Sequence, residues 1–484
     1  MADSIYGRRE RDVGALGAVL ALVAVGLVLA LAVGGAAAIG EWEAAVAIAL
    51  AVPLAAVVLH YPWAAVMVWV GVMPFLVVDD SATVSPGVWA AHRLMIIATL
   101  VVVLVYRILG LSQSRFRLSL TDVFVVAFIV LGLVNVVVLS NNPSRMTAAF
   151  FDHLIVPIAI YWLIRLADPG ESELRRLLPV VVAVVTIEVA IGMLSWIAPG
   201  VLPGAWLGRA GERTIGSLGG PGPYTVTLVF GALYGIHAAV GTRLTWIRWL
   251  LVMVAVGALV GIALSLSRGS WLGAALAVAG MAFLFPRAAI PSAAVGALAI
   301  VILAAGPFSN AFSGLDQRVG DEGTAESRLI TNNAALRMIS TEPGLGLGYG
   351  NFERFDEQFK ERIGDIPVGP GSAHHAYLAL AAENGLPALV LYLLPALWLL
   401  MRSLQLWRYM PTGRWMNRNL LVILWLALVD QFVVSNFMDM LHSSTWGTGL
   451  WWVGLGLIHV VVARAAANQR AYGRGGSVAP AFAR

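Results

Sequence analysis

The sequence predicts an all-α fold: a polytopic transmembrane helical bundle of about 14 spans, or about 12–14 where the cuts are close, with one large extracytoplasmic, partly helical loop. Three observations carry that reading. Only 12% of the 484 residues are charged, against about 25% in a soluble domain, too few to cover a water-facing surface. The apolar runs are continuous and about 20 residues long, the length a membrane helix needs; a barrel would alternate polar and apolar positions over shorter stretches. The 17 tryptophans are numerous enough to furnish belts at the membrane interfaces.

The apolar runs lie near 13–34, 42–60, 62–78, 88–109, 120–140, 148–166, 174–197, 222–241, 245–267, 269–286, 288–305, 373–401, 418–438 and 445–464. The first follows Arg8, Arg9 and Arg11. Its length and the lack of a polar segment after it read as a signal anchor rather than a cleaved signal. With a cytoplasmic N-terminus, the loops after even-numbered spans hold Arg107, Arg115 and Arg117, then Arg165, Arg175 and Arg176, then Arg243 and Arg248, then Arg287, then Arg402, Arg408, Arg414 and Arg418. The tail adds Arg464, Arg470 and Arg474. Basic residues concentrate on the cytoplasmic side, so this parity supports cytoplasmic N- and C-termini. The organisation is then spans 1–11 over 1–305, an extracytoplasmic loop over 306–372, spans 12–14 over 373–464 and a tail over 465–484.

The cysteine-free sequence excludes disulfides, thiolate nucleophiles and cysteine metal sites. The net charge of +4 reports topology, with no pattern that points to nucleic acid. The long loop has about 65 residues, well beyond an ordinary connection. Its glycines and aromatics, and the apolar spacing from Leu329 to Ile339, predict that it folds. It runs into GLGLGYGNF (344–352) and then HHAYLALAAENG (374–385). The glycine run lacks the lysine and the βαβ setting of a phosphate loop. Gly385 and Pro387 predict a close approach or a kink.

Several arginines stay on the outer side: Arg145, Arg209, Arg213, Arg268, Arg318, Arg328, Arg337, Arg354 and Arg362. Arg268 sits in LSLSRGSWLG, between two spans, where a guanidinium should face protein or a water-filled cavity. Arg213 lies in the glycine-rich GRAGERTIGSLGGPGPYT, and Arg328 opens the helical pattern SRLITNNAALRMI. A guanidinium is always charged and forks onto phosphate or carboxylate. Together they suggest an anion site at the outer membrane surface. The plainer reading pairs Arg213 and Arg328 with neighbours such as Glu212 and Glu326. Arg145, close to a span, is a further candidate.

His374 and His375 mark the mouth of a new apolar helix. Adjacent helical residues point roughly 100° apart, so the pair makes a poor bidentate metal site, and His442 and Asp79-Asp80 have no spacing that links them to it. A neutral imidazole suits a general base that takes a proton from a hydroxyl; a helix cap is the structural alternative. Nine positions separate His374 from Glu383, which places Glu383 on the opposite face and predicts a buried packing or hydrogen-bonding role for it. No nucleotide-binding signature is present, so an activated substrate on this side should be lipid-linked.

PGLGLGYGNF, a spacer and HHAYLALAAENGLPALVLYL resemble the C-terminal signature of the O-antigen ligase and Wzy-type polymerase superfamily, roughly PxxGxGxGNF and then HNxYLxxxxExGxxG. The loop from Arg213 to Thr225, the turn at Ser267, Arg268 and Gly269, and the helix led by Arg328 fall in the family's order. Two positions depart from it: His375 replaces the usual Asn, and GGPGPYT replaces an Asn-containing turn. The resemblance implies a GT-C-like, cofactor-free and metal-independent glycosyltransferase of the bacterial inner membrane, working on the extracytoplasmic face. It implies a polyprenyl-diphosphate-linked glycan donor, a lipid or glycan acceptor and inversion at the anomeric carbon. His374 would be the base, and Arg213, Arg268 and Arg328 would bind the donor diphosphate. Arg145, His375, Tyr349 and Asn351 are secondary candidates. Both ligases and polymerases fit. A transporter or flippase of lipid-linked or small solutes is the alternative, although transporters place polar groups at mid-membrane on repeated broken helices. A surface receptor or assembly scaffold is a third reading.

Overall fold

A computed structural model describes residues 61–76, 95–105, 118–208, 213–306, 309, 322–360 and 373–473. The predicted runs at 13–34 and 42–60, Asp79-Asp80, Arg209, Arg318 and Arg362 lie outside the described residues, as do Arg107, Arg115, Arg117 and Arg474. Each later apolar run is helical over most of its described residues. In order these are α1 (Trp63–Val72, with a 3-10 tail to Leu76), α2 (Met95–Val105), α3 (Leu120–Leu139), α4 (Pro143–Ala167), α5 (Glu171–Ile197), α6 (Pro221–Gly241), α7 (Thr245–Leu264), α8 (Arg268–Leu284) and α9 (Pro286–Ala305). Two loop helices follow, α10 (Glu322–Thr341) and α11 (Phe352–Phe359), then α12 (Ala376–Gln405), α13 (Arg418–Ser435), the one-turn α14 (Met440–Ser443) and α15 (Thr445–Gly473). Among the described residues, nine helices are long and apolar enough to cross a membrane, and three shorter apolar helices accompany them. The protein is a multi-pass membrane protein.

Local sequence starts and stops these helices. Proline opens α4, α6 and α9 at a position whose N–H has no helical partner. Asp122 closes a capping box at the start of α3 by accepting from the backbone N–H of Ser119 at 2.7 Å. Asp168 ends α4 in the left-handed region. A π-turn over Phe151–Ile155 interrupts α4.

α6 forms the centre of the bundle, buried from Pro221 to Ala239, and packs on α7 and α13. α8 lies against α13 through small residues. A Cβ at Gly273 would meet the Asp430 carboxylate, and Gly269 and Gly280 face Phe437 and Leu426 as closely. Such contacts let membrane helices approach where no hydrophobic force separates helix from lipid. α15 packs against the second half of α4, and α12 against α3.

The bundle has two distinct ends. At one, Arg464 reaches the carbonyls of Asp168 and Pro169, Glu171 accepts from the N–H groups of Trp415 and Met416, and Arg414 donates to the Gly241 carbonyl. These contacts draw the described basic connections together. At the other end stand α10, α11, the glycine run and both histidines. The described connections thus alternate between the two ends along the chain.

The expected kink in α12 is a break. Gly385 adopts φ 83° and ψ 165°, a region essentially restricted to glycine. The run from Pro343 to Tyr349 docks there by backbone. Leu347 N–H donates to Ala382 O, Gly348 N–H to Glu383 O and Leu386 N–H to Pro343 O, all at 2.9 Å. Asn135 on α3 closes the clasp: its amide donates to Leu345 O and Glu383 O and accepts from Tyr349 N–H. The glycine run is therefore a backbone clasp. A Cβ at Gly385 would sit 2.1 Å from the Gly344 carbonyl. Gly385→Ala is expected to cost at least about 1–3 kcal/mol from backbone strain alone, read as a lowered unfolding temperature of the purified protein. A variant as stable as the parent would show that the break is dispensable.

The loop folds as its periodicity predicts. α10 buries Ile330, Thr331, Ala334, Ala335 and Met338, and with Phe352 of α11 it packs on Ala379 and Ala382 of α12.

Candidate active site

Three helices, α6, α8 and α12, begin on the end of the bundle that carries the loop, each presenting the positive end of its dipole. The segment before α6 carries Arg213. It is fixed by Thr214, whose N–H donates to Leu264 O at 3.2 Å and whose hydroxyl accepts from Trp196 Nε1 at 2.8 Å. Further on, the buried Glu188 of α5 accepts from Ser217 N–H at 3.0 Å and contacts its hydroxyl, which also lies 2.9 Å from Pro74 O. The sequence reading passed over Glu188, an acid within an apolar run whose partner lies in a distant loop.

Arg268 is the first residue of α8 and is exposed. Leu266 just before it has φ 48°, an uncommon conformation for a bulky side chain that marks a constrained turn. The Ser270 hydroxyl contacts Ser267 at 3.0 Å and Thr225 at 2.8 Å, tying the start of α8 to that of α6.

Arg328 stands half-buried on α10. Burial holds its guanidinium below the usual arginine range, and the like charges of Arg213 and Arg268 push the same way. Its Nε is buried with no hydrogen-bond partner among the described residues. Cations this close repel, and an anion among them would relieve that repulsion.

His374 precedes the N-cap of α12 and is exposed on one side. Its pKa is held below the usual histidine range, first by crowding from neighbouring atoms and then by Arg328, with Asp439 opposing and Arg213 adding. The imidazole is therefore neutral near pH 7 and has a free lone pair. Arg213 and Arg268 thus lie within electrostatic reach of Arg328, and Arg328 and Arg213 within reach of His374.

The secondary candidates take other positions. His375 is the N-cap, its Nδ1 accepting from Leu378 N–H at 3.3 Å, so the capping role belongs to the second histidine. Asn351 is buried, donating to Leu139 O at 3.0 Å and Leu347 O at 2.8 Å. Tyr349 is 1% exposed, beneath the surface that carries His374. Arg145 is exposed on the first turn of α4, and no described interaction links it to the arginine cluster.

A buried ionic cluster lies behind this surface. His442 on α14 sits with Nδ1 2.8 Å from Asp439 Oδ2 and Nε2 2.8 Å from Glu383 Oε2. Glu383 also accepts from Phe352 N–H at 2.8 Å, the buried role expected of it. The Tyr349 ring lies against the imidazole with centroids 4.8 Å apart. Burial opposes charge on His442, but the two carboxylates outweigh it and raise its pKa well above the usual value. The Asp439–His442 spacing was visible in DMLH; its meeting with Glu383 depends on the break in α12.

Residues 253–393 match the family model described as O-Antigen ligase. This stretch is similar to the O-antigen ligase family. No curated protein matches it significantly. The matched stretch contains Arg268, Arg328, the glycine run, His374 and Glu383, whereas Arg213, Asp439 and His442 lie outside it. The candidate site therefore draws on the matched stretch and on segments before and after it.

Proposed function

We propose that this protein is an inverting, metal-independent glycosyltransferase that moves a glycan from a polyprenyl-diphosphate donor to an acceptor hydroxyl on the extracytoplasmic face of the bacterial inner membrane. The observation that carries the reading is the reach of Arg213 and Arg268 onto Arg328, and of Arg328 and Arg213 onto His374, in a chain whose residues 253–393 match the O-antigen ligase family. The acceptor oxygen attacks the anomeric carbon while its proton passes to His374. The bond from that carbon to the diphosphate oxygen breaks, and the lipid diphosphate leaves with the electron pair. Arg213, Arg268 and Arg328 stabilise the charge that grows on it, and the helix starts add partial positive charge. Asp439 is the nearby acid that favours the imidazolium formed in the step.

Arg268→Ala and Arg328→Ala are each expected to lower transfer from a defined lipid-linked donor by about 10²- to 10³-fold, or about 3–4 kcal/mol. Full activity in both variants would remove the arginines from the site. Gel analysis of surface glycans from a deletion strain separates the two family activities. Accumulated lipid-linked polymer with no capped product means a ligase; single-repeat product without long chains means a polymerase.

A further inference from the structure

A second polar site lies at the opposite end of the helices that carry the arginine cluster. A cavity of about 430 Å³ opens where α6 and α8 end and α7 and α13 begin. Arg243, Arg248 and Arg414 line it with Asn417, Asn419 and the buried His237, and none of its lining residues is acidic. The nearby carboxylate of Glu171 is occupied by the N–H groups of Trp415 and Met416. Two of the arginines are pre-positioned. Arg248 Nη2 donates to Thr242 O at 3.1 Å and Arg414 Nε to Gly241 O, which leaves their other N–H groups for a ligand.

The surroundings are those of a membrane interface. Trp246 and Trp249, on the first turns of α7, are 66% and 64% exposed, as befits side chains that sit at headgroup level. A basic cavity between membrane helices at that depth suits a phosphorylated headgroup. We infer that this cavity binds a phosphate monoester or diester, supplied by the headgroup of an anionic lipid in the leaflet opposite the His374 surface.

The test uses the purified full-length chain in phosphatidylcholine nanodiscs with and without phosphatidylglycerol, with lipid retention read by native mass spectrometry. A second arm adds inorganic phosphate to the phosphatidylcholine sample and reads the unfolding temperature. Phosphatidylglycerol retention that weakens roughly fivefold for each of Arg243→Gln and Arg248→Gln is the expected result, with Arg243→Lys restoring it. Stabilisation by inorganic phosphate alone, lost in the same variants, keeps the site but makes a soluble phosphate its ligand. Arg287→Gln, an exposed arginine at the same end but outside the cavity, controls for general surface charge. Equal loss in Arg287→Gln, or retention unchanged in the cavity variants, overturns the inference. Should one cavity variant unfold, the other, read against Arg287→Gln, still decides it.

Discussion

His374→Ala is expected to lower glycan transfer by about 10²- to 10⁴-fold, the usual contribution of a positioned general base, and to leave folding unchanged. The expectation of intact folding rests on geometry. The ring is exposed, no described hydrogen bond holds it, and the cap of α12 comes from His375. The pH profile supplies a second readout. A base must be neutral to act, so kcat/KM should fall on the acid side as His374 takes up a proton. Arg328 depresses that pKa and Asp439 raises it. Arg328→Gln should therefore move the acid limb to higher pH, and Asp439→Asn should move it to lower pH. Limbs that stay in place in both variants, or a His374→Ala enzyme that keeps its rate, would assign the proton transfer elsewhere.

The second large effect concerns stability. Glu383→Ala removes a buried acid that is one of the two carboxylates on a charged, half-buried His442 and the acceptor of Phe352 N–H. Breaking one side of a buried ion pair costs about 3–5 kcal/mol, so the variant should unfold at lower temperature and expose the 344–360 segment to protease. pH gives the sign. The pKa of His442 is raised on folding, so its stabilisation is complete below the unfolded histidine pKa, near 6.5. That stabilisation disappears as pH rises through the higher folded value. The parent should lose stability on the alkaline side, and His442→Gln should lack that particular loss. A parent and variant with parallel stability curves would mean that the imidazole is neutral in the folded protein.

Much of this was legible in the chain itself. Continuous apolar runs set the helices, because in lipid a backbone must satisfy its own hydrogen bonds. The spacing from Leu329 to Ile339 gave away α10. Arg213, Arg268 and Arg328 stood out because cations on the side that should lack them need a reason. What stayed hidden depends on contacts between distant segments. Glu188 needs Ser217 of a later loop, and Glu383 meets His442 only because α12 is interrupted at Gly385. The glycine run displayed its conformational freedom but not its docking partner, since backbone-to-backbone contacts leave little trace in side-chain pattern. Tyr349 and Asn351 belonged to the same motif as the surface residues, yet one lies under His442 and the other fastens the clasp to α3.

The interruption at Gly385 has a mechanical consequence. The short rod from Ala376 to Asn384 is bound to the loop and to Asn135, whereas the second rod meets the clasp only at its first residue, where Leu386 N–H donates to Pro343 O. When the surrounding lipid thickens or thins, the lower rod can tilt about the joint while the upper one keeps its footing. On the proposed reading, the joint insulates the geometry around His374 from the state of the bilayer, an advantage where a donor arrives on a long hydrocarbon tail.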